Sequence, residues 1–201
     1  MSSSMNSDIP KPKEVLQDIG RIAKDLFAES ERGCVLVAAA FIDELLSALL
    51  KTHFRRDGGN AAELFEGHGP LSTFSSKIEI SYQLELIDAT QRSSLNMLRK
   101  IRNDYAHLHI PVDFDSDRMK AFYGTTVGPP IHQPPFWVAL GIAETPKAKF
   151  IDNVISHSAA LAAAINSSAK RMVDKMRALE QETEEKKHDS ELLEKKLKEL
   201  G

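Results

Sequence analysis

Residues 29–54, ESERGCVLVAAAFIDELLSALLKTHF, constrain the fold more than any other part of the chain. The run has no proline, and between Cys34 and Lys51 its polar side chains are Asp43, Glu44, Ser47 and Lys51. At one residue per 100° these four make a single narrow stripe. A helix that is apolar over the rest of its surface has to be surrounded on most sides by others. This segment is the expected centre of the core.

The flanking segments supply the covering. Over 13–28 the apolar positions Val15, Leu16, Ile19, Ile22, Ala23, Leu26 and Phe27 repeat with helical spacing. After the central run, RRDGGNAAELFEGHGPLSTFSS breaks the pattern with four glycines and Pro70, and reads as a connection holding one short helical turn at 61–65. Ser76 with Glu79 fits a capping box, with Ile78, Ile80, Tyr82, Leu84, Leu86 and Ile87 beyond it. The alternation of Ile78, Ile80 and Tyr82 allows a short strand, but it does not continue, so a helix is expected. Another helix is expected over 90–108, stopped by Pro111. Then comes GTTVGPPIHQPPFWVALGIAETP, a long Pro/Gly-rich loop in which Phe136 and Trp137 either anchor the loop to the bundle or meet a partner. From Ile151 to Leu179 one apolar face persists for about eight helical turns, and a highly charged stretch follows. The expected fold is all-α: an antiparallel bundle of four or five helices at 13–179, with a loose arm at 1–12 and a charged helical tail at 180–201.

Composition narrows the function. A chain of 201 residues, 42% hydrophobic and 27% charged, suits one globular domain with an appended segment. A net charge of −3 gives no overall basic footprint, so any nucleic-acid contact has to come from a local patch. Cys34 is the only cysteine, and its apolar surroundings mark a small core residue in a reducing cytoplasm. The first residues lack the order of a secretion signal. No apolar stretch is read as approaching the roughly 18 residues of a membrane span, so no membrane association is expected.

The chemistry-bearing segment is RKIRNDYAH, residues 99–107. On a helix Leu95, Leu98, Ile101, Tyr105 and Leu108 share an arc that faces the core, with Arg102 on its margin. Asn103 and His107, four residues apart, stack in the neighbouring polar sector. Arg99, Arg102, Asn103 and His107 thus make one strip. An imidazole can move the proton of an RNA 2′-hydroxyl, and a guanidinium can hold the phosphodiester; Asn103 would orient the imidazole. In the plainer reading Arg102 and His107 satisfy helix ends or pair with Asp43 and Glu44. Arg55 and Arg56, if neighbours of Arg92, Arg99, Lys100 and Arg102, form either a phosphate-contacting patch or a solvated rim. EGHGP lacks the Lys-Ser or Lys-Thr of a nucleotide loop. His107 and His109 diverge on a helix, so neither a metal nor a cofactor is expected. No helix-turn-helix or zinc module is present in the sequence.

RNDYAH resembles the Arg-polar-x3-His signature of HEPN domains, small helical bundles of which many are metal-independent, dimeric RNases. Three blocks together, ESERGCVLVAAAFIDELL, LFEGHGPLSTFSSKIEISYQLELI and LRKIRNDYAH, resemble the mannitol operon repressor (MtlR) family more closely. That resemblance implies a bacterial, non-enzymatic, cytoplasmic regulator repressing sugar-alcohol uptake and metabolism genes, working as a helical homodimer. A protein partner for the charged tail and nucleic acid as a direct target are both open expectations. The HEPN likeness implies the alternative, an endoribonuclease with Arg102, Asn103 and His107 as its catalytic set. One departure bears on it: where a Tyr often follows the His by two residues, this chain has His109.

Overall fold

The computed structural model describes residues 12–54, 61–107, 111–125, 135, 138 and 141–199. The described residues are mostly helical, and no strand occurs among them. The helices are α1 (Pro12–Ala28), α2 (Glu31–Lys51), α3 (Ala61–Phe65), α4 (Phe74–Gln83), α5 (Ala89–His107), α6 (Asp117–Tyr123) and α7 (Pro146–Glu199). The chain divides into two compact units, Met1–Asn166 and Ser167–Gly201. The expected arm at 1–12 lies, except for Pro12, outside the described residues, as do Phe136, Trp137 and His109.

α2 starts where Ser30 caps it, its side chain accepting from the Gly33 N–H, with Glu31 in the first turn complementing the helix dipole. Nine of its side chains are buried, from Cys34 and Val35 to Leu49 and Leu50. α1, α4 and α5 all pack on it, and α4 and α5 pack on each other. One sequence expectation is corrected here. α2 is 21 residues long and holds an 18-residue window with a mean hydropathy of 2.0, so by length and composition alone it could cross a membrane. Its apolar character has a ready use inside the bundle, where neighbouring helices bury half of that window.

α1 joins through Ile19, Ala23 and Leu26, spaced four and three residues apart. Its end is held from a distance: Lys147 Nζ donates to the carbonyl of Phe27 in the last turn and to that of Glu29 just beyond it. α4 begins earlier than its expected capping box. Thr73, not Ser76, is the cap, and its hydroxyl accepts from the Ser76 N–H at 3.1 Å. Glu79 is thereby released for contacts across helices. The reciprocal capping box sits instead at the start of α5, where Asp88 Oδ1 accepts from Gln91 N–H at 2.7 Å and Gln91 Oε1 from Asp88 N–H at 3.2 Å.

The compact unit closes through α6 and the first part of α7. Phe114 and Phe122 both tilt against Phe150 with ring centroids 5.2 and 5.3 Å away, and Phe122 stacks on His157. The seven described helices exceed the expected four or five because α3 and α6 are short. α6 was not foreseen, although Ser116 followed by Met119 and Phe122 carries a helix start and a three-residue apolar spacing.

His157 is 1% exposed. Its Nε2 lies 2.7 Å from Ser94 Oγ, while Nδ1 has no partner among the described residues. Burial disfavours the imidazolium and lowers the pKa from 6.5 to about 4, against a weaker opposing pull from Asp88. Between those two values the unfolded chain takes up a proton that the native state refuses. The stabilising contribution of a neutral His157 is therefore complete above pH 6.5 and is lost as pH falls toward 4, by up to about 3 kcal/mol. Urea midpoints measured from pH 7 to pH 4 should fall more steeply for the wild type than for His157→Gln; parallel profiles would contradict this.

Candidate functional site

The last turns of α5 are held from three directions before any outward side chain matters. Tyr105 is buried, and its hydroxyl accepts from the Asp113 N–H at 3.3 Å, fixing the chain just beyond the helix. Arg32, in the first turn of α2, donates through Nη1 to the Tyr105 carbonyl, which lies in the last turn where carbonyls lack helical partners. Asp104 pairs with Arg118 of α6. Sequence reasoning passed over Arg32, Asp104, Asp113 and Arg118. Asp104 was legible inside RNDYAH as a carboxylate beside the proposed set, but its partner becomes visible only once α6 is placed.

On this frame Arg102 and His107 are exposed and Asn103 is half-buried. The guanidinium is therefore more open than its expected place on the margin of the core arc. Arg102 Nη1 donates to Asn103 Oδ1 at 3.0 Å. Five helical residues separate Arg102 from His107, which sends the two side chains out about 140° apart, with Asn103 between them in angle. Asn103 lies nearer His107 in angle and yet engages the arginine. The expected pairing of the strip with Asp43 and Glu44 does not occur: Asp43 accepts from the buried Lys77 at 2.8 Å, and Glu44 is exposed. The Lys77 ammonium reaches Asp43 because α4 lies directly against α2.

One turn toward the start of α5 the strip becomes a ladder. Arg92 meets Glu79 Oε2 through both Nε and Nη2, at 2.9 and 2.7 Å, and lies over the Tyr82 ring. Asn96 donates to the other oxygen of Glu79, and Arg99 Nε donates to Asn96 Oδ1 at 3.3 Å. The Arg92 hydrogen bonds hold the Glu79 carboxyl below its ordinary pKa, and the carboxylate holds Arg92 above its own. This ladder removes most of Arg92 from the expected positive patch. Lys100 is exposed and Arg99 half-buried on α5, while Arg55 and Arg56 lie outside the described residues. α2 and α5 are neighbours, as the patch requires.

The surface around the strip is open. A cavity of about 180 Å³ beside it is lined by Ile101, Asp104, Tyr105, Ser116, Arg118 and Met119; Arg102, Asn103 and His107 are not among its walls. Another, lined by Tyr82, Gln83, Glu85, Leu86, Ile87 and Asp88, lies at the α4–α5 turn. The arrangement offers two outward donors on a helix face and can contact an anionic or polar surface. Among the described residues no three His, Cys, Asp or Glu side chains converge as metal ligands. Cys34 is buried in the core, and desolvation pushes its thiol up to about 12, so it is not a nucleophile.

No family model and no curated protein matches the chain. Among solved structures, the X-ray structure of the MtlR–HPr complex from Escherichia coli contains a similar chain, with a TM-score of 0.48 and 21% identity, covering 75% of this chain and 98% of that one.

Because Arg102 and His107 are exposed, neither should matter to folding. Arg102→Ala and His107→Ala are each expected to change unfolding free energy by less than about 0.5 kcal/mol, measured by urea denaturation. A loss above 2 kcal/mol in either would show a structural role and remove the strip as a contact surface.

Proposed function

We propose that this chain is a non-enzymatic, cytoplasmic regulator of the mannitol operon repressor type, restraining sugar-alcohol uptake and metabolism genes through contacts made by its helical surface. One observation carries the reading. The three sequence blocks that resemble that family fall on α2, on the approach to α4 with α4 itself, and on α5, and those helices pack mutually at the centre of the bundle. The likeness thus covers one contiguous packed unit and not scattered stretches. The open setting of the α5 strip also agrees with a contact surface better than with an enclosed catalytic centre, which would need to exclude water from its reacting groups. Deleting the gene should raise transcripts of the sugar-alcohol transporter under non-inducing conditions, with restoration by the intact gene. Unchanged transcripts in both inducing and non-inducing media would end this proposal.

A second reading keeps its own support: Arg102, Asn103 and His107 are together at the outward end of one helix, with the guanidinium and imidazole free of acidic partners among the described residues. In a HEPN-type endoribonuclease Arg102 would clamp the phosphate and His107 would move the proton. This predicts cleavage of single-stranded RNA in EDTA that is reduced at least about a hundredfold in His107→Ala. Intact RNA after incubation with folded wild-type protein refutes it.

A further inference from the structure

The unit Ser167–Gly201 leaves an apolar edge uncovered. Val173, Met176 and Leu179 are 47, 51 and 54% exposed, and they follow one another at three-residue steps. From Ala169 the sequence advances alternately by three and four residues through Met172, Met176, Leu179, Thr183 and Lys186, and in the same register it returns to apolar residues at Leu193 and Leu197. In this seven-residue register Ala169, Met176, Thr183, Ser190 and Leu197 stand at a and Met172, Leu179, Lys186 and Leu193 at d, which makes a coiled-coil seam that is apolar at its two ends. Every described side chain from Val173 to Lys187 is exposed. Within the helix the described ion pairing of this stretch is the 2.6 Å contact of Lys186 with Glu182, worth only a few tenths of a kcal/mol. A helix with so little support of its own is stabilised when its seam meets another.

We propose that the occupant is the same segment of a second copy of this chain, aligned parallel and in register. The charges flanking the seam decide both partner and direction. In a parallel pair a g residue of one helix faces the next e residue of the other, which sets Lys175 against Glu180 and Glu182 against Lys187, each twice by symmetry. The next pair, Asp189 with Glu194, is repulsive. An antiparallel pair that laid Met172 and Met176 on Leu197 and Leu193 would set Lys175 beside Lys196 and Glu182 beside Asp189, and only Glu180 with Lys187 would attract. Parallel pairing therefore carries two attractive kinds of contact to one repulsive, and the antiparallel arrangement the reverse. Thr183, Lys186 and Ser190 make the middle of the seam polar, which weakens the association and penalises slipped registers. The dimer is accordingly reversible and depends on concentration. This inference stands apart from the regulatory reading, since self-association is measured without reference to any gene.

The test uses the full chain in sedimentation velocity over a wide concentration range. The wild type is expected to shift from monomer to dimer. Leu179→Lys should abolish the dimer while leaving the thermal unfolding of the compact unit unchanged. Lys175→Glu places glutamates together and should raise the dissociation constant about tenfold, and adding Glu180→Lys should restore it. In the Met176→Cys variant the two thiols should join on mild oxidation, because the a positions of a parallel pair face each other; Cys34 is buried and contributes little. A wild type that stays monomeric throughout overturns the proposal, as does a dimer indifferent to Leu179→Lys, or one that the double charge reversal fails to restore.

Discussion

Everything in the compact unit follows from the need to cover α2. A helix with a hydropathy this high has no stable exposed arrangement in water, since apolar surface left uncovered costs about 25 cal/mol per Å². Covering it takes elements on several sides, and the chain supplies α1, α4 and α5 in contact with it. The polar stripe is not left entirely to water either. Asp43 takes the ammonium of the buried Lys77, so the side of α2 that could not be made apolar becomes the place where α4 is registered. One oxygen of Asp43 has no partner among the described residues, which makes Lys77 the group that keeps this carboxylate tolerable.

Periodicity revealed the elements, and local chemistry misplaced some of their ends. The apolar spacings of α1, α2 and α5, and even the single turn at Ala61–Phe65, were legible because burial imposes the 3.6-residue repeat directly on residue type. The cap of α4 was misread because two patterns overlap: Ser76 and Glu79 satisfy the capping spacing, but Thr73 satisfies the geometry, and Glu79 is claimed by Arg92 and Asn96. A carboxylate with a bidentate guanidinium available gains more there than at a helix end. The hydropathy of α2 is a related case. Composition alone does not distinguish a helix buried in protein from one buried in lipid, and only the helices packed around α2 do.

The candidate strip was legible as a face and less so as a constellation. That His107 and Asn103 project from the polar side of α5 follows from counting residues. That Asn103 turns to Arg102, that Arg92 is absorbed by Glu79, and that Arg32 tethers the Tyr105 carbonyl depend on partners 13 or more residues away in most cases, and no local pattern encodes them. The consequence is electrostatic. Of the cations expected to make a patch, Arg92 is neutralised and Arg99 is half-buried, and what is left exposed on α5 is Lys100 and Arg102, on different sides of the helix, with His107 at its end.

Cations dispersed in this way are a weak attractor for a single copy. An exposed cation interacts over roughly a Debye length of about 8 Å at physiological salt, and an overall charge of −3 opposes a polyanion at longer range. Two copies paired as proposed would change the arithmetic without any new contact, because the second copy's cations would bind at the effective concentration set by the first. A pairing seam that is weak in its polar middle makes that doubling depend on how much protein is present. If that pairing holds, the amount of chain would set avidity for an extended anionic surface more steeply than it sets the binding of one copy.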